Sequence, residues 1–296
     1  MANLKEVKGR IQTVSSTQQI TKAMKMVSAA KLRRAQDRIT QMRPYSQKLS
    51  KVIQNVSAGL SGESLDNKYS EQRESNNVLL VVVSSDRGLC GGFNNNAFKF
   101  VRSLIAEKYS NQQSSGNLSI LPIGKKAYDY FRKRDYQVID TYYELMGHLD
   151  FDQVREAAEY VMTSFSEGKF DQVEIIYNEF KNVAVQFVKN EQFLPIIMEE
   201  QAEEEVANPT DYIFQPSKEF IFKEIIPKSL KIQFYKTLLE SNASEQGARM
   251  TAMDQATDNA TELLKELKLT YNRTRQAAIT TEILEIVGGA EALSQG

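Results

Sequence analysis

A glycine-rich stretch has the residue types and spacing that come nearest to a chemical site, Ser84-Ser-Asp-Arg-Gly-Leu-Cys-Gly-Gly-Phe-Asn94. It follows the apolar run Val78–Val83 and precedes a helical pattern, which is where a nucleotide-binding domain holds phosphates. Its glycines do not give the G-x-G-x-x-G spacing, and no Gly-Lys-Ser/Thr follows. A tight turn that needs glycine for its backbone angles is therefore favoured. A nucleotide-binding enzyme is the rival interpretation.

The other residue types that carry chemistry are scarce. The chain of 296 residues has one cysteine, Cys90, and one histidine, His148. These numbers exclude an internal disulfide, a thiol metal cluster and a His-rich metal site. We expect Cys90 to be a packed small residue and His148 to have a loop or capping role. No catalytic residue, metal site or cofactor site is predicted.

The first 57 residues are strongly basic. They hold 12 Lys/Arg but only Glu6 and Asp37 as acids, so this stretch carries +10 and the remainder −11. Such a split indicates a partner: nucleic acid, an organelle import system or acidic protein surfaces. Tyr45 is the only aromatic residue before Tyr69, which argues against nucleic acid. Helical patterning over more than 50 residues argues against a transit peptide, so acidic protein surfaces are favoured.

Apolar residues recur at three-four spacing at both ends of the chain, which predicts two long helices. The first runs from about residue 3 to 58, with a polar stretch at 15–19. Its apolar stripe is predicted to comprise Leu4, Val7, Ile11, Val14, Ile20, Ala23, Met24, Val27, Leu32, Ala35, Ile39, Met42, Leu49, Ile53 and Val56. The second runs from Ala248 to Val287, where Gly288-Gly289 gives a stop signal. Its stripe comprises Met250, Met253, Thr257, Ala260, Leu264, Leu267, Tyr271, Thr274, Ala278 and Thr281.

Strand and helix patterns alternate between these two helices. Strands are predicted at Val78–Val83, Leu118–Ile123, Tyr136–Tyr142, Gln172–Phe180 and Val183–Val188, the last two joined in a hairpin. Helices are predicted at Asn95–Tyr109, Lys125–Arg134 and Phe151–Glu167. The fold class is therefore α/β, with a Rossmann-like, mostly parallel domain inserted into an antiparallel coiled coil of the terminal helices. The predicted domains are 1–60, 61–210 and 211–296, with polar linkers at 57–77 and 199–208. The longest unbroken apolar run, Val78–Val83, is too short to cross a bilayer.

Three long motifs then identify a family. They are Ile20–Gln36 (ITKAMKMVSAAKLRRAQ), Ser85–Asn94 (SDRGLCGGFN), and the C-terminal pair Ala243–Thr257 and Tyr271–Ala290. In this order they closely resemble the gamma subunit of F-type ATP synthases, from about residue 2 to the C-terminus.

The resemblance implies a single-copy rotor shaft that is not itself catalytic and binds no nucleotide. Its helices would stand inside a head of three alpha and three beta subunits, and its α/β domain would lie against the epsilon subunit and the membrane c-ring. Proton flow would turn the shaft and drive ATP synthesis, and hydrolysis would turn it backwards. Without an N-terminal presequence, the expected location is the cytoplasmic face of a bacterial inner membrane, as a peripheral protein.

The resemblance also implies contact residues. Arg249, Gln276, Thr280 and Glu282 match positions where the family's shaft meets the inner loops of the catalytic subunits, and Met24 matches the neighbouring position on the N-terminal helix. The alternative is that Thr280 and Glu282 only face the other helix or solvent.

Overall fold

The computed structural model describes residues 4–58, 68–183, 185–196 and 218–294. The chain divides into two compact units, one of residues 1–28 with 250–296 and one of residues 29–249. The predicted boundaries at 60/61 and 210/211, part of the linker at 57–77 and the whole linker at 199–208 lie outside the described residues. Within the described part, no helix is both long and apolar enough to span a membrane.

Residues 29–249 contain a five-stranded sheet. Its strands are β1 (Val78–Val83), β2 (Leu118–Ile123), β3 (Gln137–Val138), β4 (Gln172–Phe180) and β5 (Gln186–Leu194). The order across the sheet is β3-β2-β1-β4-β5, with β5 antiparallel to β4 and every other pair parallel. The predicted mostly parallel sheet and its terminal hairpin are confirmed, but the last strand, predicted at Val183–Val188, runs over Gln186–Leu194.

Helices cover both faces of this sheet. The α-helices of the described residues are α1 (Leu4–Ala58), α2 (Phe93–Lys108), α3 (Ser110–Ser114), α4 (Lys125–Arg132), α5 (Phe151–Ser166) and α6 (Lys218–Ser294). Helices α2 and α4 share one apolar cluster with the sheet, and α5 and the first part of α6 share the other. Every residue of β1 is completely buried, as expected for a central parallel strand covered on both sides.

The predicted strand at Tyr136–Tyr142 is wrong in length, because only Gln137–Val138 pair with β2. In β2, Ile120 faces β3, and its carbonyl accepts a hydrogen bond from the Ile139 amide at 2.9 Å. Two residues on, the amide that would face β3 belongs to Pro122, which has no N–H to donate. The ladder therefore stops there.

The predicted ends of the C-terminal helix are also wrong. Helix α6 begins at Lys218 rather than Ala248 and passes through Pro227. It continues through Gly288 and Gly289 to Ser294. Each glycine costs a helix interior roughly 1 kcal/mol relative to alanine, which weakens a helix without ending it. The two glycines lacked the left-handed backbone that a C-terminal cap needs.

In the other unit, residues 4–28 of α1 lie antiparallel to α6. Gln18 donates to the hydroxyl of Thr261 at 2.7 Å, and Thr257 donates to the hydroxyl of Thr21 at 2.8 Å. Lys25 pairs with Asp254. The antiparallel packing of the terminal helices is confirmed.

The predicted stripe of α1 is wrong between residues 15 and 27. Ile20 and Val27 are 60% and 56% exposed, whereas Thr21 and Ser28 are buried. A three-four step from Val14 leads to Gln18, Thr21, Lys25 and Ser28, and then back to Leu32. The contact stripe is therefore continuous but polar in its middle, where its side chains bond across to α6.

Candidate functional site

Three of the predicted contact residues lie on a fully exposed part of α6. Every residue from 276 to 290, here called the terminal segment, is exposed, including Gln276, Thr280 and Glu282. The Thr280 hydroxyl donates to the Gln276 carbonyl one turn earlier at 2.9 Å, so it is satisfied within the helix.

The terminal segment is also apolar in composition. Five aliphatic side chains on it are about half to three-quarters exposed: Ile279, Ile283, Leu284, Ile286 and Val287. At 100° per residue, they fall on the same side of the helix as Gln276 and Thr280, and Glu282 lies at the edge of this side, about 40° from Ile286. A contiguous apolar stripe of this kind marks a surface that another protein covers.

The helix register explains this exposure. From Gln18 to Lys25, α1 advances seven residues while its partners on α6 go back seven, from Thr261 to Asp254. The same register brings Leu4, the first described residue of α1, level with Arg275. The terminal segment therefore starts where the described part of α1 ends. Ala278 and Thr281, which were predicted to lie in the contact stripe, are exposed for this reason.

Met24 belongs to the same unit and is half-buried on α1. It precedes Lys25, which pairs with Asp254 on α6. The exposed apolar residues nearest to it in sequence are Ile20, Met26 and Val27. Their side chains give α1 an outward apolar face among its lysines and arginines.

Arg249 has a different environment, in the unit of residues 29–249. It is 8% exposed, and its Nη1 atom lies 2.5 Å from Oε1 of Glu245, one helical turn earlier. Its Nη2 atom donates to the main-chain carbonyls of Arg87 and Gly88 at 2.9 and 3.3 Å. All the described contacts of this guanidinium are therefore inside the chain. The i, i+4 spacing of a glutamate and an arginine was the sequence signal for Glu245, which the sequence analysis missed.

The buried carboxylate of Glu245 would be unfavourable without a nearby cation. Burial raises the pKa of its carboxyl group, with a further rise from nearby Asp86, and Arg249 opposes this by stabilising the charged form. The Lys31 ammonium on α1 acts in the same direction as Arg249. A buried carboxylate of this kind is tolerated because a cation neutralises it at hydrogen-bond distance.

The glycine-rich stretch forms the turn between β1 and α2. Asn94 holds it by donating to the Ser85 hydroxyl at 2.8 Å and accepting from the Ser85 amide at 3.0 Å. Of its glycines, only Gly91 has a left-handed backbone, with φ of 59°. Cys90 is 2% exposed and packs with Phe93 and Ala248, which confirms its expected role as a packed small residue. The turn is thus tied to α6 from two directions, by Arg249 and by Ala248.

Gly124, just after β2, is the glycine on which this region depends most. Its φ of 108° is unfavourable for any other residue, and a Cβ atom would lie 2.2 Å from the Ser84 carbonyl oxygen. Ser84 in turn accepts a hydrogen bond from the Ala127 amide at 2.8 Å, at the start of α4. The ends of β1 and β2 therefore approach more closely than a side chain would allow.

Comparison with known proteins identifies the family. The family model described as ATP synthase matches residues 3–293. The ATP synthase gamma chain of Cytophaga hutchinsonii is 60% identical over 295 residues, which cover 99% of this chain and all of that protein. The ATP synthase gamma chain of Flavobacterium johnsoniae is 53% identical over 294 residues, again 99% of this chain and all of that protein.

Solved structures show the same fold. A chain from the central stalk and c-ring of the Tetrahymena thermophila mitochondrial ATP synthase matches 80% of this chain and 99% of its own length, with a TM-score of 0.56 and 26% identity. A chain from the Euglena gracilis mitochondrial ATP synthase covers 98% of this chain and 94% of its own, with a TM-score of 0.65 and 20% identity. From the full-length match to the family model and to these bacterial relatives, the chain belongs to the family of ATP synthase gamma chains.

Proposed function

We propose that this chain is the central rotor of an F-type ATP synthase, which couples proton flow through a membrane c-ring to ATP synthesis and hydrolysis on catalytic subunits. Its partners are three alpha and three beta subunits around one copy of this chain, the epsilon subunit and the c-ring. The chain positions these subunits and carries out no chemistry itself. It acts as a peripheral protein on the cytoplasmic face of the bacterial inner membrane.

The observation that carries this proposal is the terminal segment. Ile283, Leu284 and Ile286 are all more than half exposed on a helix of 77 residues. Exposing that much aliphatic surface to water is unfavourable by roughly 25 cal/mol per Å². A ring of subunits that surrounds the helix removes this cost while leaving the helix able to turn, because an apolar contact has no directional bonds to break.

Differences between the sides of the same segment supply the coupling. Gln276 and Thr280 offer hydrogen-bonding groups on one side, and Glu282 offers a negative charge on another. Three identical catalytic subunits around one such helix each meet a different side, so their conformations and nucleotide affinities differ. Turning the helix exchanges these environments in sequence, which makes the coupling between helix and nucleotide sites reciprocal.

Met24 and Arg249 complete the proposed contact set. The half-buried Met24 and the exposed Ile20 and Val27 give α1 a face on which a beta subunit can move. Arg249 contributes by holding its surroundings in shape, given that its described contacts are with Glu245 and the glycine-rich turn.

The test is ATP turnover by purified cognate alpha and beta subunits with and without the chain. We expect steady multi-site hydrolysis only with it. The variants Gln276→Ala and Glu282→Ala should each lower turnover several-fold, since a lost hydrogen bond removes about 0.5–1.5 kcal/mol. The matched control is Gln113→Ala on α3, where the glutamine is also exposed. A complex with this variant should hydrolyse ATP at the same rate as a complex with the unaltered chain.

Nucleotide titration of the chain alone tests the rival function, a nucleotide-binding enzyme. The rotor proposal expects no saturable binding of a mononucleotide or dinucleotide. Saturable binding that Gly91→Ala abolishes, together with no effect of the chain on turnover, would instead make the glycine-rich turn a nucleotide site.

A further inference from the structure

The buried pair Glu245–Arg249 does more than the usual pair of neighbouring charges on a helix. An i, i+4 pair connects two turns of one helix and is worth only a few tenths of a kcal/mol when exposed. This pair is buried. The second terminal nitrogen of the guanidinium donates hydrogen bonds to the carbonyls of Arg87 and Gly88, more than 160 residues away in sequence. The link therefore runs from α6 to the end of β1.

The Arg87 carbonyl also accepts a hydrogen bond from the Ser85 hydroxyl at 2.8 Å, but that bond stays within the turn, whereas Arg249 joins the carbonyl to α6. The turn carries its own left-handed residues, Leu89 and Gly91, so the backbone there departs from the pattern that would satisfy its carbonyls within a helix or strand. On its other side, Cys90 packs against Ala248, the residue next to Arg249. Removal of the guanidinium thus breaks the hydrogen bonds that join the turn's carbonyls to α6 and leaves the buried Glu245 carboxylate uncompensated.

We propose that Arg249 is a positioning residue that clamps the turn between β1 and α2 to α6, with Glu245 fixing the guanidinium in place. The sheet and this part of α6 then turn as one body. The mechanical role of this clamp rests on the proposed rotor function, because only a rotating α6 would exert force on the bonds between Arg249 and the turn. The clamp itself is a property of the isolated chain and is tested there first.

Cys90 supplies the probe, since it is the chain's only cysteine and is buried directly behind the clamp. A thiol reagent labels it only when the turn opens, so the labelling rate of the full chain reports that opening. Arg249→Met should speed labelling about tenfold or more, because hydrogen bonds to a charged group are lost. Lys228→Met removes an exposed cation with the same i, i+4 spacing to a glutamate on the same helix and should leave the rate unchanged.

Two double variants separate the clamp from simple stability. Glu245→Met with Arg249→Met replaces the pair by apolar side chains of similar length, which keeps the packing, yet labelling should remain fast. Exchanging the two residues, Glu245→Arg with Arg249→Glu, restores an ion pair on α6 but puts an acceptor where the carbonyls need a donor. Labelling of the exchanged variant should also be fast. Slow labelling in either double variant would overturn the clamp.

The functional arm uses the complete membrane-bound complex reconstituted with the Met/Met double variant. The ratio of protons pumped to ATP hydrolysed should fall, since a loosened sheet lets the helix turn without it. This ratio is insensitive to the amount of assembled complex. An unchanged ratio beside fast Cys90 labelling would overturn the mechanical role alone. If the unaltered chain failed to join the complex, the rotor proposal would fail and the labelling result would be unaffected.

Discussion

At the scale of single residues, the most demanding position is Glu174 in β4. Its side chain is almost completely buried within a parallel sheet, where a carboxylate requires full compensation. Oε1 receives hydrogen bonds from Lys108, Tyr109 and Gln172 at 2.5, 2.6 and 2.9 Å. Oε2 accepts from Asn190 on β5 at 2.8 Å. This carboxylate therefore joins the end of α2 to two strands.

Tyr109→Phe should destabilise the chain. It removes the hydroxyl that donates to Glu174 while keeping the ring, so the free energy of unfolding should fall by about 1.5–3 kcal/mol. Chemical denaturation followed by circular dichroism measures this. The control is Tyr45→Phe, which changes a tyrosine that is 57% exposed and should leave the denaturation midpoint unchanged. Equal midpoints for the two variants would show that the Glu174 network contributes little.

Sequence reasoning identified residues with local signals and missed those whose partners are distant. The glycine-rich turn and packed Cys90 could be predicted because glycine spacing and the absence of a nearby histidine are read along the chain. Glu174 could not, since its partners come from α2 and β5 and meet only in the folded sheet. Arg249 was identified by resemblance, but its buried contacts with the turn were not foreseen.

At the scale of secondary-structure elements, the polar middle of the α1–α6 contact weakens that contact. The hydroxyls of Thr21 and Thr257 lie 2.8 Å apart, and the single hydroxyl hydrogen of Thr257 is shared between Thr21 and the Met253 carbonyl. Two hydroxyls that satisfy each other contribute about 1 kcal/mol net, no more than two buried methyl groups would. The polar middle of the α1–α6 contact therefore fixes which residues pair but adds little stability.

The double variant Thr21→Val with Thr257→Val should strengthen this contact. Each valine keeps the branched shape and adds apolar area, so protection of the amides of residues 4–28 against hydrogen exchange should rise by a few-fold. Either single variant leaves one hydroxyl without its cross-helix partner and should lower protection. The double-mutant cycle tests the idea, and additive single effects would contradict it.

Glu240 on α6 gives a prediction about pH. Burial raises the pKa of its carboxyl group, and nearby Glu179 and Glu191 raise it further, against the lysines Lys236 and Lys189. The folded state therefore holds this proton more tightly than the unfolded state. The chain loses stability from this group as pH rises through the ordinary glutamate value to the raised one, and the penalty persists above it.

Glu240→Gln should consequently raise the melting temperature at pH 7 by about 1–3 °C and have a much smaller effect near pH 4, where the glutamate is mostly protonated in both states. Thermal unfolding across this pH range measures it. Glu224→Gln is the control, because Glu224 is exposed on the same helix beside Lys228. A stabilisation by Glu240→Gln that persisted unchanged at pH 4 would not arise from this charge.

Most elements were predictable because their periodicity is strong, and the errors have definite causes. Strands β1 and β4 match their predicted bounds, since both are bounded by polar turns. Helix α6 was underestimated because Gly247, Gly288 and Gly289 are read locally as helix ends, while packing and helix continuity override them.

At the scale of the whole molecule, burial is very uneven. The residues of β1 are completely buried, whereas the terminal segment is exposed throughout. Isolated helices depend on tertiary packing for most of their stability. The two regions should therefore open with very different free energies.

Hydrogen exchange of the isolated chain should show this difference. Amides of residues 276–290 should exchange fastest, and those of Val78–Val83 should require the largest opening. When the cognate alpha and beta subunits are added, protection should appear in residues 276–290, because their apolar side becomes covered. Unchanged exchange there on assembly would argue against the terminal segment as the contact with the head.

The matched register of α1 and α6 restricts how chain length can vary in this protein. Deleting one residue between Thr21 and Lys25 would rotate everything on one side of the deletion by about 100°. With Thr21 and Thr257 still paired, Lys25 and Asp254 would then stay paired only if α6 lost a residue at the same level. Length changes within residues 4–28 or 250–275 must therefore occur as compensating pairs, whereas the exposed turn at residues 115–117, between α3 and β2, is free of this constraint. Across related sequences, single insertions and deletions are expected to accumulate in the sheet unit and to be rare in the paired helices.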